Sequence, residues 1–594
     1  MKMTSDQRKQ LAATALGKRK AEVIITNGTI VNVHSKEHIK GKDIAITLGA
    51  IAYIGDCEHL IGDETKIIDA KGKFITPGLI DGHMHVESTM LSVTEFAKAA
   101  IKQGTTAVFM DPHEIANVFG LEGVRWMHEE GQQLPLRVFT TVPSCVPATE
   151  TLEDAGAELL PEHIKEALNW EKVAGLGEVM NFPGVVHGDD KMTKEIEATI
   201  QAGKTVTGHI PAEDPKMLQA YVASGVTSCH ETVTRKQALE KLRLGLHVMI
   251  REGSAWQDVE QLAPIITEDQ MPTENLSLIT DDVYPQTLTE QGHLNHVVRK
   301  AIKEGIDPTT AIQLATINAA NYFNYGDTLG SIAPGKWADI LIVDQLEEMK
   351  PSTVIIEGEV IYDEESYQVT FPTYTYPSKA KNSVHLNRSL QAKDFHATTT
   401  TTSSVTVNVI EALENNARTA KATANLTVHD GVIQSDQEND IIHLSCIDRH
   451  HQSEQISNAF VKGFQFKSGA VASTVAHDSH NLLVMGVNKE DMAIAANKLS
   501  ELGGGMIVVN NGRILAEVPL PIAGLMSDQP LERVVQQVKA LDQAWKELGC
   551  PMNAPFMTFS LIALPVIPSI RITNRGIADV DTFELIPLEI SKQR

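Results

Sequence analysis

Between residues 22 and 73, short apolar and β-branched stretches alternate with polar positions. The segment "AEVIITNGTIVNVHS" (21–35) breaks at Asn27-Gly28, a dipeptide that favours a two-residue hairpin turn, and "DIAITLGAIAYIGD" repeats the texture. A small sheet with a hairpin at Asn27-Gly28 is the expectation. From Phe74 to about Leu329 the pattern changes to apolar runs separated by helix-like stretches. The runs are "FITPGLIDGH", "TTAVFMDPH", "LRVFTTVPS", "VAGLGEVM", "TVTGHIP", "GVTSCHE", "HVMIREGS" and "LSLITDDV". Each closes on polar or ionisable residues. Eight such repeats predict a (β/α)8 TIM-type barrel over 74–329, with functional residues where the strands end.

After this stretch "TLGSIAPGKWADILIVD" and "TVIIEGEVIYD" read as β again. Residues 330–375 are therefore expected to pair with 22–73 in one small domain, since both flank the barrel. Residues 1–21 form a polar, basic extension, and 376–404, with the run "ATTTTTSS", reads as a linker. Residues 405–594 are expected to form a further α/β domain. Within it, "GGG" at 503–505 lacks the GK[ST] of a phosphate-binding loop and reads as a tight turn.

Composition narrows the partners rather than the fold. A net charge of −25 repels phosphate backbones, so a small neutral molecule fits better than nucleic acid. The five cysteines (Cys57, Cys145, Cys229, Cys446 and Cys550) contain no CxxC pair, so neither a disulfide framework nor a thiolate zinc site is indicated. With no apolar leader at the N-terminus and no run of about 20 apolar residues, a cytoplasmic protein without a membrane partner is expected.

The chemistry lies at the run ends. His83 and His85 stand two apart in "IDGHMHVES", and residues i and i+2 of a strand share a face, so both imidazoles can reach one metal. Glu178 ends run four, His209 run five, His230 run six and Asp281 run eight. Imidazole and carboxylate donors converging on one rim suit one or two divalent ions, with Glu178 able to bridge a pair. A bound ion lowers the pKa of water from 15.7 to about 7, and Asp281 is placed to take and return its proton. Two rival motifs fail: "HEIAN" (113–117) lacks the second histidine of HExxH, and His85-Val86-Glu87 matches HxE without a following PCxxC.

Together, "TPGLIDGHMHVES", "DPHEIANV", "GLGEVM", "GHIP", "CHE", "REGS" and "TDD" resemble the adenine deaminase branch of the amidohydrolase superfamily. "GAVASTVAHDSHNLLVMGVN" and "LPLPIAGLMS" resemble that branch's own C-terminal domain, so the likeness spans residues 22–594. The resemblance implies hydrolysis of adenine to hypoxanthine and ammonia in purine salvage, by attack of metal-activated hydroxide on C6. It further implies a sandwich-like small domain and two metal ions, manganese first, with iron or zinc accepted by the same ligands. Carried over by position, His83, His85, Glu178 and Asp281 hold one ion, and Glu178, His209 and His230 the other. Glu231 and Glu213 are candidate donors to the ring nitrogen. Glu87, Ser88, His113, Glu114, Arg251 and Ser254 are candidates for the base pocket, with helix capping an equal role for Ser88. His477, Asp478 and His480 have ligand-type side chains but no third partner in the sequence, which favours a structural network; His247 and His293 read as structural. A homo-oligomer is expected. The alternatives are another cyclic amidohydrolase opening a dihydropyrimidine- or hydantoin-type ring, and a metal-free scaffold.

Overall fold

Residues 3–211, 214–414, 416–553 and 555–590 are described by a computed structural model of the chain. A first helix, Ser5–Ala15, starts at Thr4, whose side chain accepts from Gln7 N while the Gln7 side chain returns to Thr4 N. The helix sets Leu11 against Ala50 and Ala52 of the first sheet. That sheet has four strands in the order Ala50–Gly55, Asp43–Thr47, Val23–Thr26, Lys66–Asp69.

The turn at Asn27-Gly28 forms, with Asn27 in the left-handed region at φ 56°, but it does not close the expected hairpin. Val23 pairs with Ile46 and Lys66, whereas Thr29 pairs with Lys40 and Phe74 in a different sheet. Each flanking strand finds better partners elsewhere, so the turn carries the chain from one sheet to the next. The second sheet has seven strands, and its centre joins distant segments: Ile340–Val343 runs antiparallel to Phe74–Pro77. Ile25 and Ile44 of the first sheet share one apolar cluster with Ile75, Ile340 and Ile355 of the second.

All eight apolar runs contain a strand. Leu79–His85, Thr105–Met110, Arg137–Val142, Val173–Val179 and Thr205–Gly208 are successive parallel neighbours in one sheet. Ser228–Cys229, His247–Arg251 and Leu276–Ile279 form a second parallel sheet. Hydrogen bonding continues across both gaps: Thr227 N donates to Val206 O (3.1 Å), and Asp281 pairs with Met84. Buried on both faces, these strands read as continuous apolar runs rather than alternating ones. Lys241, also buried, spends its three ammonium protons on Ile210 O (2.9 Å), Glu231 O (2.6 Å) and Thr232 Oγ1 (2.9 Å), clamping two strand-end loops.

Residues 376–404 make packing contacts on both sides. Tyr376 donates to buried Glu130 (2.5 Å), and Leu390 and Phe395 enter the core of the C-terminal region. There a nine-stranded, mainly antiparallel sheet packs against the helices Lys489–Leu502 and Leu531–Glu547. Gly503 caps the first of these helices at φ 76°, and Gly505 opens the strand Gly505–Asn510, so the three glycines make a helix-to-strand turn. All five cysteines are free and buried. Among the described residues no helix is long and apolar enough to cross a membrane.

Arg137, at the start of its strand, joins the parallel sheet to the seven-stranded one. Its Nε and Nη2 reach the two carboxylate oxygens of Asp339 (2.7 and 3.1 Å), and both residues are buried. Removing one member of a buried, bidentate pair strands the other charge, at a cost of about 3 kcal/mol or more. Arg137→Met should therefore lower the thermal and urea midpoints of unfolding. Unchanged midpoints would show that this pair does not hold the two sheets together.

Candidate metal centre

Strand Leu79–His85 presents His83 and His85 on one face, and Asp281 arrives beside them in register with Met84. Asp281 Oδ1 lies 3.5 Å from His83 Nε2 and 3.2 Å from His85 Nε2. The Nδ1 of His85 is 2.9 Å from the carbonyl oxygen of Asp111; a carbonyl only accepts, so Nδ1 carries hydrogen and Nε2 is the nitrogen that faces the cluster. Asp281 itself holds φ 61°, a left-handed conformation that a non-glycine residue adopts at a cost.

Glu178 stands at the centre. Its Oε1 is 3.7 Å from His85 Nε2 and 3.4 Å from His113 Nδ1; its Oε2 is 2.8 Å from His209 Nδ1 and 3.0 Å from His230 Nε2. The ring of His230 stacks on that of His83 with centroids 4.1 Å apart. Burial opposes charge on Glu178, yet His230 and His209 hold its carboxyl well below the usual range. Burial likewise opposes charge on His209, but the Glu178 carboxylate lifts it to about 9; His230, dominated by burial, falls to about 4.

Donor atoms within 4.8 Å of one another include the sets His83–His85–Glu178, His83–His230–Asp281 and Glu178–His209–His230. The buried Nε2 of His83 has no hydrogen-bond partner. Anionic oxygens, imidazole lone pairs and an orphaned ring nitrogen in one buried space are the donor set of divalent metal ions, so these residues fit such ions.

The neighbours are ordered as closely. Gly177 lets Asp111 approach the backbone, since a Cβ there would meet Asp111 Oδ2 at 2.4 Å; that oxygen accepts from Glu178 N at 2.9 Å. Asp111 Oδ1 is buried without a partner. Asp111, near the end of run two as Glu178 is near the end of run four, is a further residue of the site, beyond those expected from sequence. Arg251 faces three carboxylates: Glu231 (2.5 Å), Asp258 (2.6 Å) and Asp281 (3.2 Å). Burial opposes ionisation of Glu231, but Arg251 keeps its carboxyl below the ordinary value. Ser254 is bonded to Thr287 and to Tyr284 N, each at 2.8 Å. Ser88 donates to Asp282 from within a 3-10 turn and caps no helix. Glu87 Oε1 accepts from Ile115 N (3.2 Å), and its Oε2 is an orphan. Glu213 lies outside the described residues. His247 bonds Ser277 (3.0 Å) and His293 bonds Thr105 (2.8 Å), both away from the cluster.

The third partner of "HDSHN" is Glu114. Its Oε1 is 2.7 Å from His477 Nδ1, and its Oε2 meets His480 Nε2. His480 Nδ1 accepts from Ala476 N (3.2 Å), so its Nε2 carries the hydrogen and donates to Glu114. Burial, aided by the nearby His477 and Arg449, takes His480 down to about 4 against the pull of Glu114; burial opposes charge on His477 too, but Glu114 lifts that ring to about 9. His113 Nε2 lies 3.4 Å from Glu114 Oε1 and 3.9 Å from Asp478 Oδ1, so the C-terminal region comes within one side chain of the cluster.

Family models agree with this two-part construction: "Amidohydrolase family" matches residues 74–361 and "Adenine deaminase C-terminal domain" matches residues 416–584. Among similar proteins, an adenine deaminase of Moorella thermoacetica is 47% identical over 583 residues, covering 98% of both chains. One from Clostridium botulinum (strain 657 / Type Ba4) is 46% identical over 585 residues, again 98% of both. Adenine deaminase 3 of Rhizobium meliloti is 46% identical over 578 residues, 97% of both. With that identity from end to end, and the donor set described above in its matched residues, the chain belongs to the adenine deaminase family of amidohydrolases.

Proposed function

We propose that the protein hydrolyses adenine to hypoxanthine and ammonia at a pair of divalent metal ions held by His83, His85, Glu178, His209, His230 and Asp281. One observation carries the reading beyond the family: Glu178 turns one oxygen to His85 and the other to His209 and His230, so this carboxylate would be within reach of the donors of either ion. Manganese is the first choice of metal, with iron or zinc accepted by the same donors. The eight strands are read as a closed (β/α)8 barrel, supported by hydrogen bonding across both gaps between the parallel sheets. The segments 22–73 and 330–375 are read as a β-sandwich domain, 74–329 as the barrel and 405–594 as the C-terminal domain. Purine salvage by a cytoplasmic homo-oligomer completes the reading.

When bound, such ions acidify water and supply a nucleophile near neutral pH. The remaining work falls to side chains. Arg251 holds Asp281 Oδ2 while Oδ1 faces His83 and His85, so this carboxylate is fixed where it takes a proton and later returns it to the leaving ammonia. Glu231 is paired with Arg251 and stays ionised, which suits it to positioning that arginine rather than to donating a proton. His113, 3.4 Å from both Glu178 and Glu114, is the better-placed donor to the ring nitrogen beside C6.

Manganese-loaded protein should release ammonia from adenine, and not from adenosine, cytosine or a dihydropyrimidine. Turnover of adenosine without adenine would overturn the free-base reading, and ring opening of the dihydropyrimidine would move the protein to another cyclic amidohydrolase. Asp281→Asn should cut kcat by about 100-fold or more, the usual scale of a positioned proton-transfer group, while Glu178→Gln should lower metal content measured by elemental analysis. Wild-type turnover in both variants would show that the site lies elsewhere. Dialysis against a chelator should abolish activity and lower the midpoint of thermal unfolding, because ions that bind only the folded chain stabilise it. Purified protein that carries no divalent ion and takes none up would instead fit a scaffold.

A further inference from the structure

Glu178, His209 and His230 stand at the ends of three successive parallel strands. Two side chains tie these ends together in series. Tyr221, buried on the helix Pro215–Ala223, accepts from His209 N (3.0 Å) and donates to Val179 O (2.5 Å), the carbonyl next to Glu178. Lys241, buried on the helix Arg235–Arg243, donates to Ile210 O (2.9 Å), next to His209, and to Glu231 O (2.6 Å), next to His230. Each helix follows one of the strands and reaches the end of that strand and the end of the one before it.

The fit around the Tyr221 hydroxyl is close. A Cβ on Gly208 would lie 2.9 Å from that oxygen and 2.5 Å from Ser228 O, so a side chain there would push the phenol off His209 N. The ring itself packs in one apolar cluster with Val179, Ile210 and Cys229. Glu178 is held from two more directions: its N–H donates to Asp111 Oδ2 at 2.9 Å, and its carbonyl accepts from Ser144 Oγ at 2.8 Å. The bonds described for Tyr221 and Lys241 stay within the three strand ends and reach none of the segments that carry His83, His85 and Asp281.

We propose that Tyr221 and Lys241 are positioning residues for one metal ion: by fixing the spacing of three strand ends, they set the affinity of the ion held by Glu178, His209 and His230. The inference rests on the two-ion reading above and divides it, because His83, His85 and Asp281 belong to strand ends that these two side chains do not bond. Hydrogen bonds are directional, so a hydroxyl bonded on both sides holds two backbones at one separation. Ligands already held at the right separation lose little freedom when an ion binds. Loosening the groups that support them costs about 10- to 100-fold in metal affinity.

Tyr221→Phe keeps the ring and deletes only the hydroxyl. Manganese titration of the metal-free protein, with the free ion followed by its electron paramagnetic resonance signal, should show two ions bound by wild type. In Tyr221→Phe one ion should bind at least about tenfold more weakly while the other keeps its wild-type affinity. Excess manganese should then restore kcat, with KM for adenine unmoved. Lys241→Met should give the same one-ion pattern. Tyr322→Phe deletes a hydroxyl bonded to Thr227 Oγ1 (2.9 Å) near the start of the same strands, and it should leave both affinities unchanged. Wild type that binds one ion or none would sink the two-ion reading. Two ions in wild type, with both affinities unchanged or both equally weakened in Tyr221→Phe, would overturn the positioning role alone.

Discussion

The arrangement depends on keeping Glu178 ionised inside the protein. A buried carboxylate is expensive unless positive charge or hydrogen-bond donors meet it, and Glu178 is met on both oxygens by imidazoles from four different strand-end segments. That requirement fixes which strand ends converge and which glycines are needed. Gly177 has no side chain so that Asp111 can reach Glu178's own backbone. Arg251, with carboxylates on three sides, extends the same balance outward to Asp281, Glu231 and Asp258. Neutral and charged histidines coexist within a few ångströms because burial and carboxylate contact pull in opposite directions at each ring.

The second dependence is the clasp between Glu114 and the HDSHN segment. Glu114 and His480 are 366 residues apart, yet they bond beside His113 and the cluster. Burial works against ionising Glu114, and His477, His113 and His480 hold its carboxyl well below the usual range. A carboxylate satisfied from both halves of the molecule fixes their relative position more narrowly than apolar packing does, because hydrogen bonds are directional. In this way a region with no cluster residue of its own is tied to the segment that carries His113.

Much of this was legible along the chain. The eight apolar runs each contain a strand because parallel strands buried on both faces need continuous apolar sequence. Their polar terminations marked His83, His85, Glu178, His209, His230 and Asp281 as side chains that reach one place, and those donor atoms do meet. The i, i+2 spacing of the two histidines, and the glycine turn at 503–505, are local properties and needed no tertiary information.

What the sequence left undecided were choices between partners. Asn27-Gly28 specified a turn, but which strands paired on either side of it depended on residues 40, 46, 66 and 74. Arg251 was visibly at a strand end, but its three carboxylates lie 7, 20 and 30 positions away. The histidines of HDSHN had ligand chemistry and no visible third partner until the fold delivered Glu114. Residue type and spacing determine what a side chain can do and which face it occupies. Only tertiary packing, which sets distances between segments remote in the chain, decides which group it does it with.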